Sequence, residues 1–318
     1  MSLLVKKPGV LTTVQDIGRI GWRRFGINPN GPMDPAAARI ANILAGNDEH
    51  AALLEMHFPA PELTFEEPKV FALCGADLGA EMNGVPIAPW RAARVEAGST
   101  LRFTSKSGGE RAYLGVRGGI DVPLWLSSSC TNLAAHIGGH EGRALKAGDR
   151  LTLGSAGPIR SRRLPAAAQS MVPRYGRFPT VRIIRGAEFD LLSASDHRTF
   201  LETSFTISGR SDRMGYRLDG QALSCARPAD MLSAAVCFGT IQLPPKGQLI
   251  VLMADQQTAG GYPRIAHVIS TDLPLLAQLG PGDKVAFHMI EIEEAERLML
   301  EFERDLSLLR TACRLAYE

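Results

Sequence analysis

Seven short apolar runs, each closed off by Gly, Pro, Ser or Asp, constrain this chain more than any other feature. They are KVFALCGADL, TLRFTS, RAYLGVRGG, RLTLG, TVRIIRG, QLIVLMAD and KVAFHM. Each is too short for a helix of ordinary length and is rich in residues that fit a pleated sheet. Turn pairs lie between them, at Asn83–Gly84, Gly148–Asp149 and Gly282–Asp283. The 32 glycines and 20 prolines supply the turns that many short strands need. Such runs close into barrels or sandwiches, so the chain is predicted to be mainly β.

Two helices interrupt this pattern. In GPMDPAAARIANILAGN, Asp34 is placed to cap, Pro35 to open the helix and Gly46 to stop it. Ile40, Ile43 and Leu44 fall on one face, which is predicted to be buried. Near the end, Ile292, Ala295, Met299, Phe302, Leu306 and Leu309 alternate spacings of three and four. That seam either docks on its own domain or makes a contact between subunits, including one with a second copy of the chain as a homo-oligomer.

The 318 residues suffice for two domains. The halves echo each other. Gly75 in VFALCGAD and Gly209 in FTISGRSD stand 134 residues apart, and so do Gly148 and Gly282, each followed by Asp and a strand. Two equal offsets suggest a duplicated β-rich domain. Residues 155–179, rich in Pro, Arg, Ser and Ala, read as a linker. The division expected is a first β-barrel domain over 1–155, a linker over 156–180, a second barrel over 181–290 and an amphipathic helix over 291–318.

A net charge of +2 gives no ground for non-specific binding to nucleic acid or to an acidic membrane. Five cysteines without C-x-x-C spacing argue against a disulfide framework or zinc ribbon. With no signal-peptide pattern at the start and no apolar run near 20 residues, a cytoplasmic protein is expected.

Four polar loops could carry chemistry. ISGRSDRMGYRLDG holds Arg210, Asp212, Arg213, Arg217 and Asp219 between glycines. It reads either as a salt-bridged surface turn or as a site where guanidinium forks hold an anion. LTTVQDIGR brings Asp16 and Arg19, either as a capped turn or facing a cleft. ADQQTAGGYP follows an apolar strand directly and carries Asp255, Gln257, Thr258 and Tyr262. IGGHEGR places Glu141 and Arg143 on a glycine-rich loop. His136 and His140 have metal-ligand spacing, but Gly138 and Gly139 lie between them and no third ligand is evident, so no metal is expected. Neither a G-x-S-x-G elbow nor a P-loop is present in the sequence.

KPGVLTTVQDIGR, GPMDPAAARIANILAGN, CGADLGA, VRGGIDVP, GGHEGRALKAGDRL, SDRMGYRL, IQLPPKGQLIVLMADQQTAGGYP and DLPLLAQLGPGD together resemble the family of 5-oxoprolinase C-type subunits. That KipA-like family is also called biotin-dependent carboxyltransferase or allophanate hydrolase subunit 2. The resemblance runs from about residue 5 to 290. It implies two tandem cyclophilin-like β-barrel domains. It implies two partners, a KipI-like B-type subunit and a lactam-processing A-type subunit. It also implies the ATP-dependent opening of 5-oxoproline to glutamate. The alternatives are a carboxyltransferase acting on a urea-like amide with biotin carried on another chain, or a non-catalytic regulatory subunit. On either enzymatic reading the substrate is a small amide. Two stretches depart from the family pattern: His140 stands where an aromatic is common, and SSSCT at 127–131 replaces an Arg-containing GSRST.

In this reading Arg213, Arg217 and Arg19 hold an anion, with Glu141 and Arg143 beside them. Asp212, Asp16 and Asp77 are candidate bases or orienters, Asp77 serving equally well as a turn cap. Gln257, Thr258 and Tyr262 position substrate. The anion-binding arginines are expected to face a crevice between the two barrels.

Overall fold

The computed structural model describes residues 2–157, 159, 163–225 and 231–318. The chain divides into two compact units. One comprises residues 1–19, 30–174 and 303–318; the other comprises 20–29 and 175–302. Residues 158 and 160–162 of the expected linker lie outside the described residues. The stretch after them is not a free tether: Ala92 N–H donates to the Pro165 carbonyl and Ala167 N–H to that of Trp90, both at 2.9 Å. It thus extends the edge of the strand Arg91–Val95.

The first unit is built from a six-stranded and a five-stranded sheet. Alternate residues of their strands form one core: Leu3 and Val5, Leu54 and Met56, Leu63 and Phe65, Phe71 and Leu73, Leu114 and Val116. This is the period of two that a half-buried strand requires. Helix α1, Pro35–Ala45, packs on the strands Lys69–Asp77 and Gly108–Val116 of the five-stranded sheet. It is capped as its sequence predicts. Asp34 Oδ1 accepts the Ala37 N–H at 2.9 Å, and Gly46 ends the helix at φ 76°. Ile40, Ile43 and Leu44 are buried. Gly115 lets the helix approach, because a Cβ there would stand 2.8 Å from the Ala41 carbonyl oxygen.

The second unit holds a closed barrel. In order around it run Thr180–Arg185, Arg264–Val268, Thr240–Gln242, Ile250–Leu252, Gly215–Asp219, Phe205–Ile207 and Lys284–Met289. The first and last strands close it in parallel, and the remaining pairs are antiparallel. Val181, Ile183, Ile241, Val251, Val285 and Phe287 are buried on its strands. Helix α2, Ala194–Glu202, brings Phe200 against Phe205 and Phe287, with ring centroids 6.4 and 5.2 Å apart. A short helix α3 spans Leu273–Ala277.

The last helix, α4, spans Ile292–Tyr317. Its apolar seam docks within the chain. Leu306 and Leu309 are buried, while Ile292, expected on the same seam, is exposed. In the first unit Arg39 pairs with Glu303 at 2.6 and 2.8 Å, and Tyr317 donates to the Leu44 carbonyl.

The internal echo is real at one of its two positions. Gly148 and Gly282 have φ of 92° and 88°. In each turn the next residue's carboxylate accepts a backbone N–H three residues back: Asp149 from Lys146 at 2.7 Å, Asp283 from Gly280 at 2.9 Å. Each also binds an arginine, Arg143 and Arg177 respectively. Gly75 and Gly209 are not equivalent. Gly75 sits in a strand at φ 89°, packed on the Arg111 carbonyl, whereas Gly209 lies in an open turn.

No helix among the described residues is long and apolar enough to cross a membrane. All five cysteines are free.

Candidate active site

Each unit gathers its own pair of polar loops. In the first unit the strand Thr12–Gln15 ends at Asp16, whose carboxylate organises a stretch more than a hundred residues away. Asp16 Oδ1 accepts the Ser128 hydroxyl at 2.8 Å, the Cys130 thiol at 2.8 Å and the Gly18 N–H at 2.9 Å. Oδ2 accepts the Ser129 N–H. Burial and the Asp16 charge push the Cys130 thiol far above its usual range, so it stays protonated and donates. Thr131 locks the same stretch to the strand, its N–H and hydroxyl both donating to the Val14 carbonyl, at 3.0 and 2.8 Å.

Arg19 follows on the same loop and is 1% exposed. Nη1 donates to Asn30 Oδ1 at 2.7 Å, and Nη2 donates to the Cys130 carbonyl. The guanidinium lies 4.9 Å over the Trp125 ring. Gly138 and Gly139 close against this core. A Cβ at Gly138 would overlap the Cys130 carbonyl oxygen, and one at Gly139 would overlap Thr131 Oγ1.

Above this core opens a cleft of about 600 Å³ whose walls include Trp125, His136, Gly138, His140 and Glu141. Its walls carry backbone that side chains seldom adopt: His136 and Glu141 have φ of 55° and 56°, and Leu126 and Ser127, next along the chain from Trp125, have 50° and 62°. Each such residue costs about 1–3 kcal/mol, and such strain concentrates where a protein holds ligands. The loop has irregular backbone, not a helix, so His136 and His140 do not share a helical face. Arg143 is fully engaged: it bonds both oxygens of Asp149, at 2.7 and 3.0 Å, and Oε2 of Glu141. Those bonds hold the Asp149 carboxyl down at about 2. No group of three His, Cys, Asp or Glu among the described residues could hold a metal ion.

The second unit joins the loop 207–220 to the loop 255–262. Arg213 is buried and bonds both oxygens of Asp255, at 2.9 and 3.0 Å, while Asp255 N–H donates to the Arg213 carbonyl at 2.8 Å. Asn28 Nδ2 donates to the Asp255 carbonyl at 3.1 Å, and Arg23 donates to that of Val236. Asp212 acts as a turn cap, accepting the N–H groups of Met214 and Gly215 at 2.8 and 3.1 Å. Arg210 and Arg217 are exposed. The arginine-rich stretch is thus a capped, ion-paired turn, with Arg213 turned inward to its own carboxylate.

The remaining residues fall in different places. Asp77 is exposed and caps a turn through the Gly79 N–H at 3.0 Å. Gln257 is exposed and Thr258 half-buried; the Thr258 carbonyl accepts the Val236 N–H at 3.2 Å. Tyr262 lines a separate cleft of about 720 Å³ with Met231, Leu232, Pro244 and Lys246.

Sequence reasoning missed Asn30, Trp125 and Ser128 as site residues. The one available signal was the hydroxyl- and thiol-rich SSSCT at 127–131, the stretch that Asp16 ties down.

The fold and its polar cores define a two-unit β protein in which strand-end loops, not helices, carry the reactive groups. The chain belongs to the family described as carboxyltransferase domain, subdomain A and B, which it matches over residues 25–289. It is 38% identical to the C-type subunit of 5-oxoprolinase from Haemophilus influenzae, over 94% of each chain. It is 40% identical to the same subunit from Escherichia coli, over 92% of this chain and 93% of that one. Among solved structures, the K. lactis urea amidolyase superposes with a TM-score of 0.91 at 29% identity, covering 97% of this chain but 20% of the larger one.

Proposed function

We propose that this chain is the C-type subunit of a multi-subunit 5-oxoprolinase, which opens the lactam 5-oxoproline to glutamate. One observation carries this reading: relatives bearing that name match end to end, whereas the urea amidolyase is matched over a fifth of its length.

A lactam carbonyl is a poor electrophile because the ring nitrogen shares its lone pair. Opening the ring therefore requires activation of the amide, and ATP supplies a phosphoryl group for that purpose when bound. Three of the arginines expected to hold an anion are already committed within the chain. Arg19, Arg143 and Arg213 already direct their donors at Asn30 and Cys130, at Asp149 and Glu141, and at Asp255. We therefore assign the ATP contacts to a partner, the A-type or the B-type member of the assembly. This chain contributes the cleft beside Trp125. Its indole gives an apolar wall for a small ring, and the strained glycine loop opposite gives backbone N–H groups for a carboxylate or amide. Arg19 and Asp16 hold that wall and loop in place.

The test is reconstitution. Full-length protein combined with its A-type and B-type partners should show ADP release that depends on 5-oxoproline and on all three proteins. Equal activity without this chain would end the proposal.

A second reading, carboxyl transfer to a urea-like amide, is favoured by the family match and the TM-score of 0.91. Biotin would then sit on another chain. Carboxylation of urea that requires bicarbonate and a biotin carrier protein would select this reading over the first.

A further inference from the structure

A second reactive constellation lies in the barrel unit, independent of the function proposed above. The neighbouring strands Thr240–Gln242 and Arg264–Val268 place Thr240 opposite His267. Cys237 stands just before the first of them. Cys237 N–H donates to Thr240 Oγ1 at 3.0 Å, and the same hydroxyl lies 3.1 Å from His267 Nδ1, a contact whose donor is set by the imidazole tautomer. Cys237 Sγ lies 3.3 Å from Thr240 Oγ1 and 3.8 Å from His267 Nδ1. In the tautomer that carries its proton on Nε2, Nδ1 is an acceptor facing this thiol. Burial and the Arg264 charge hold His267 below its usual range, so the ring is neutral.

Arg264, paired with Glu188 at 2.6 and 2.8 Å, also donates to the Ala235 carbonyl at 3.1 Å, two residues before the cysteine. Gln242, two residues beyond Thr240 on the same strand, is 1% exposed, and its Nε2 has no acceptor among the described residues. It faces Gly260, where a Cβ would stand 2.6 Å away. The other cysteines differ. Cys74, Cys130 and Cys313 are buried, and burial together with Asp196 raises the half-buried Cys225 thiol.

We propose that Cys237 is a site of reversible S-thiolation by a low-molecular-weight disulfide, with His267 as the proton acceptor. In the step, the Cys237 proton passes to His267 Nδ1. The thiolate attacks one sulfur of the disulfide, a new S–S bond forms at Cys237, and the old S–S bond breaks. The departing thiolate takes up a proton. No net electrons leave the pair of reactants.

The test uses full-length protein and glutathione disulfide, with intact-mass analysis and peptide mapping. One adduct is expected, on Cys237, reversed by dithiothreitol and absent in Cys237→Ser. His267→Gln should slow its formation about tenfold or more while leaving the circular dichroism spectrum unchanged. An adduct carried by Cys225 instead, or no adduct on the folded protein, overturns the proposal. So does an unchanged rate in a folded His267→Gln. Mapping of the unaltered protein decides the matter even if a variant fails to fold.

Discussion

Arg213 lays Nε and Nη2 against the two carboxylate oxygens of Asp255, at 2.9 and 3.0 Å, with side chains only 8% and 12% exposed. The pair ties the turn after one barrel strand to the loop after another. Its charge is spent internally.

This pairing makes a stability prediction. Asp255→Ala should destabilise the protein by about 3–5 kcal/mol, because it strands a buried guanidinium. Replacing both partners with apolar residues should cost less than Asp255→Ala alone. Urea denaturation of the two single variants and the double variant measures the coupling. Near-zero coupling would show that the pair is no more than a surface contact.

Asp16 accepts four donors within the first unit, from Gly18, Ser128, Ser129 and Cys130. Asp16→Asn keeps the shape but turns one acceptor oxygen into a donor. Loss of about 1–3 kcal/mol is expected, from buried donors left unsatisfied. In the reconstituted assembly, activity should fall with it. A variant with wild-type Tm and no activity would instead show that Asp16 acts directly on substrate.

The glycine loop makes a steric prediction. Gly138→Ala would push a methyl group into the Cys130 carbonyl at a φ of 71°, so it should cost at least about 1–3 kcal/mol. Gly209→Ala meets nothing within 4 Å among the described residues and should stay within about 0.5 kcal/mol of wild type. Thermal melts of the two variants compare crowded with open glycine. Equal Tm values would refute the packing assigned to the loop.

Asp149 supplies a pH signature. Hydrogen bonds from Arg143 hold its carboxyl at about 2, below the 3.8 of an ordinary aspartate. The folded state therefore prefers the ionised form. Its contribution is complete above the unfolded value and disappears as pH falls from 3.8 towards about 2. The stability gap between wild type and Asp149→Asn should be full at about pH 6 and narrow steadily through that window. A gap that is independent of pH would remove the ion pair from the account.

Much of the local structure was legible in the chain. The strand Lys284–Met289 coincides with KVAFHM, and Asp34, Pro35 and Gly46 bound α1 as capping chemistry requires. The Gly-Asp turns at 148 and 282 adopt one conformation because the same two residues meet the same backbone need. Other motifs were legible as polar loops but not in what they do. In sequence Arg213 reads either as part of a salt-bridged turn with aspartates 212 and 219 or as an anion holder; its partner is Asp255, on a different loop. Asp77 and Asp212 turned out to spend their carboxylates on nearby N–H groups.

The sequence by itself determined the strand-rich character, the helix ends and the repeated turn, since each depends on residues within a few positions of one another. Only the tertiary structure decided which charges are satisfied and which thiol has an imidazole beside it. Arg213 with Asp255 and Cys237 with His267 are brought together beside strands paired in register, and Asp16 with Cys130 by a loop packed on a strand end, so spacing along the chain shows none of the three.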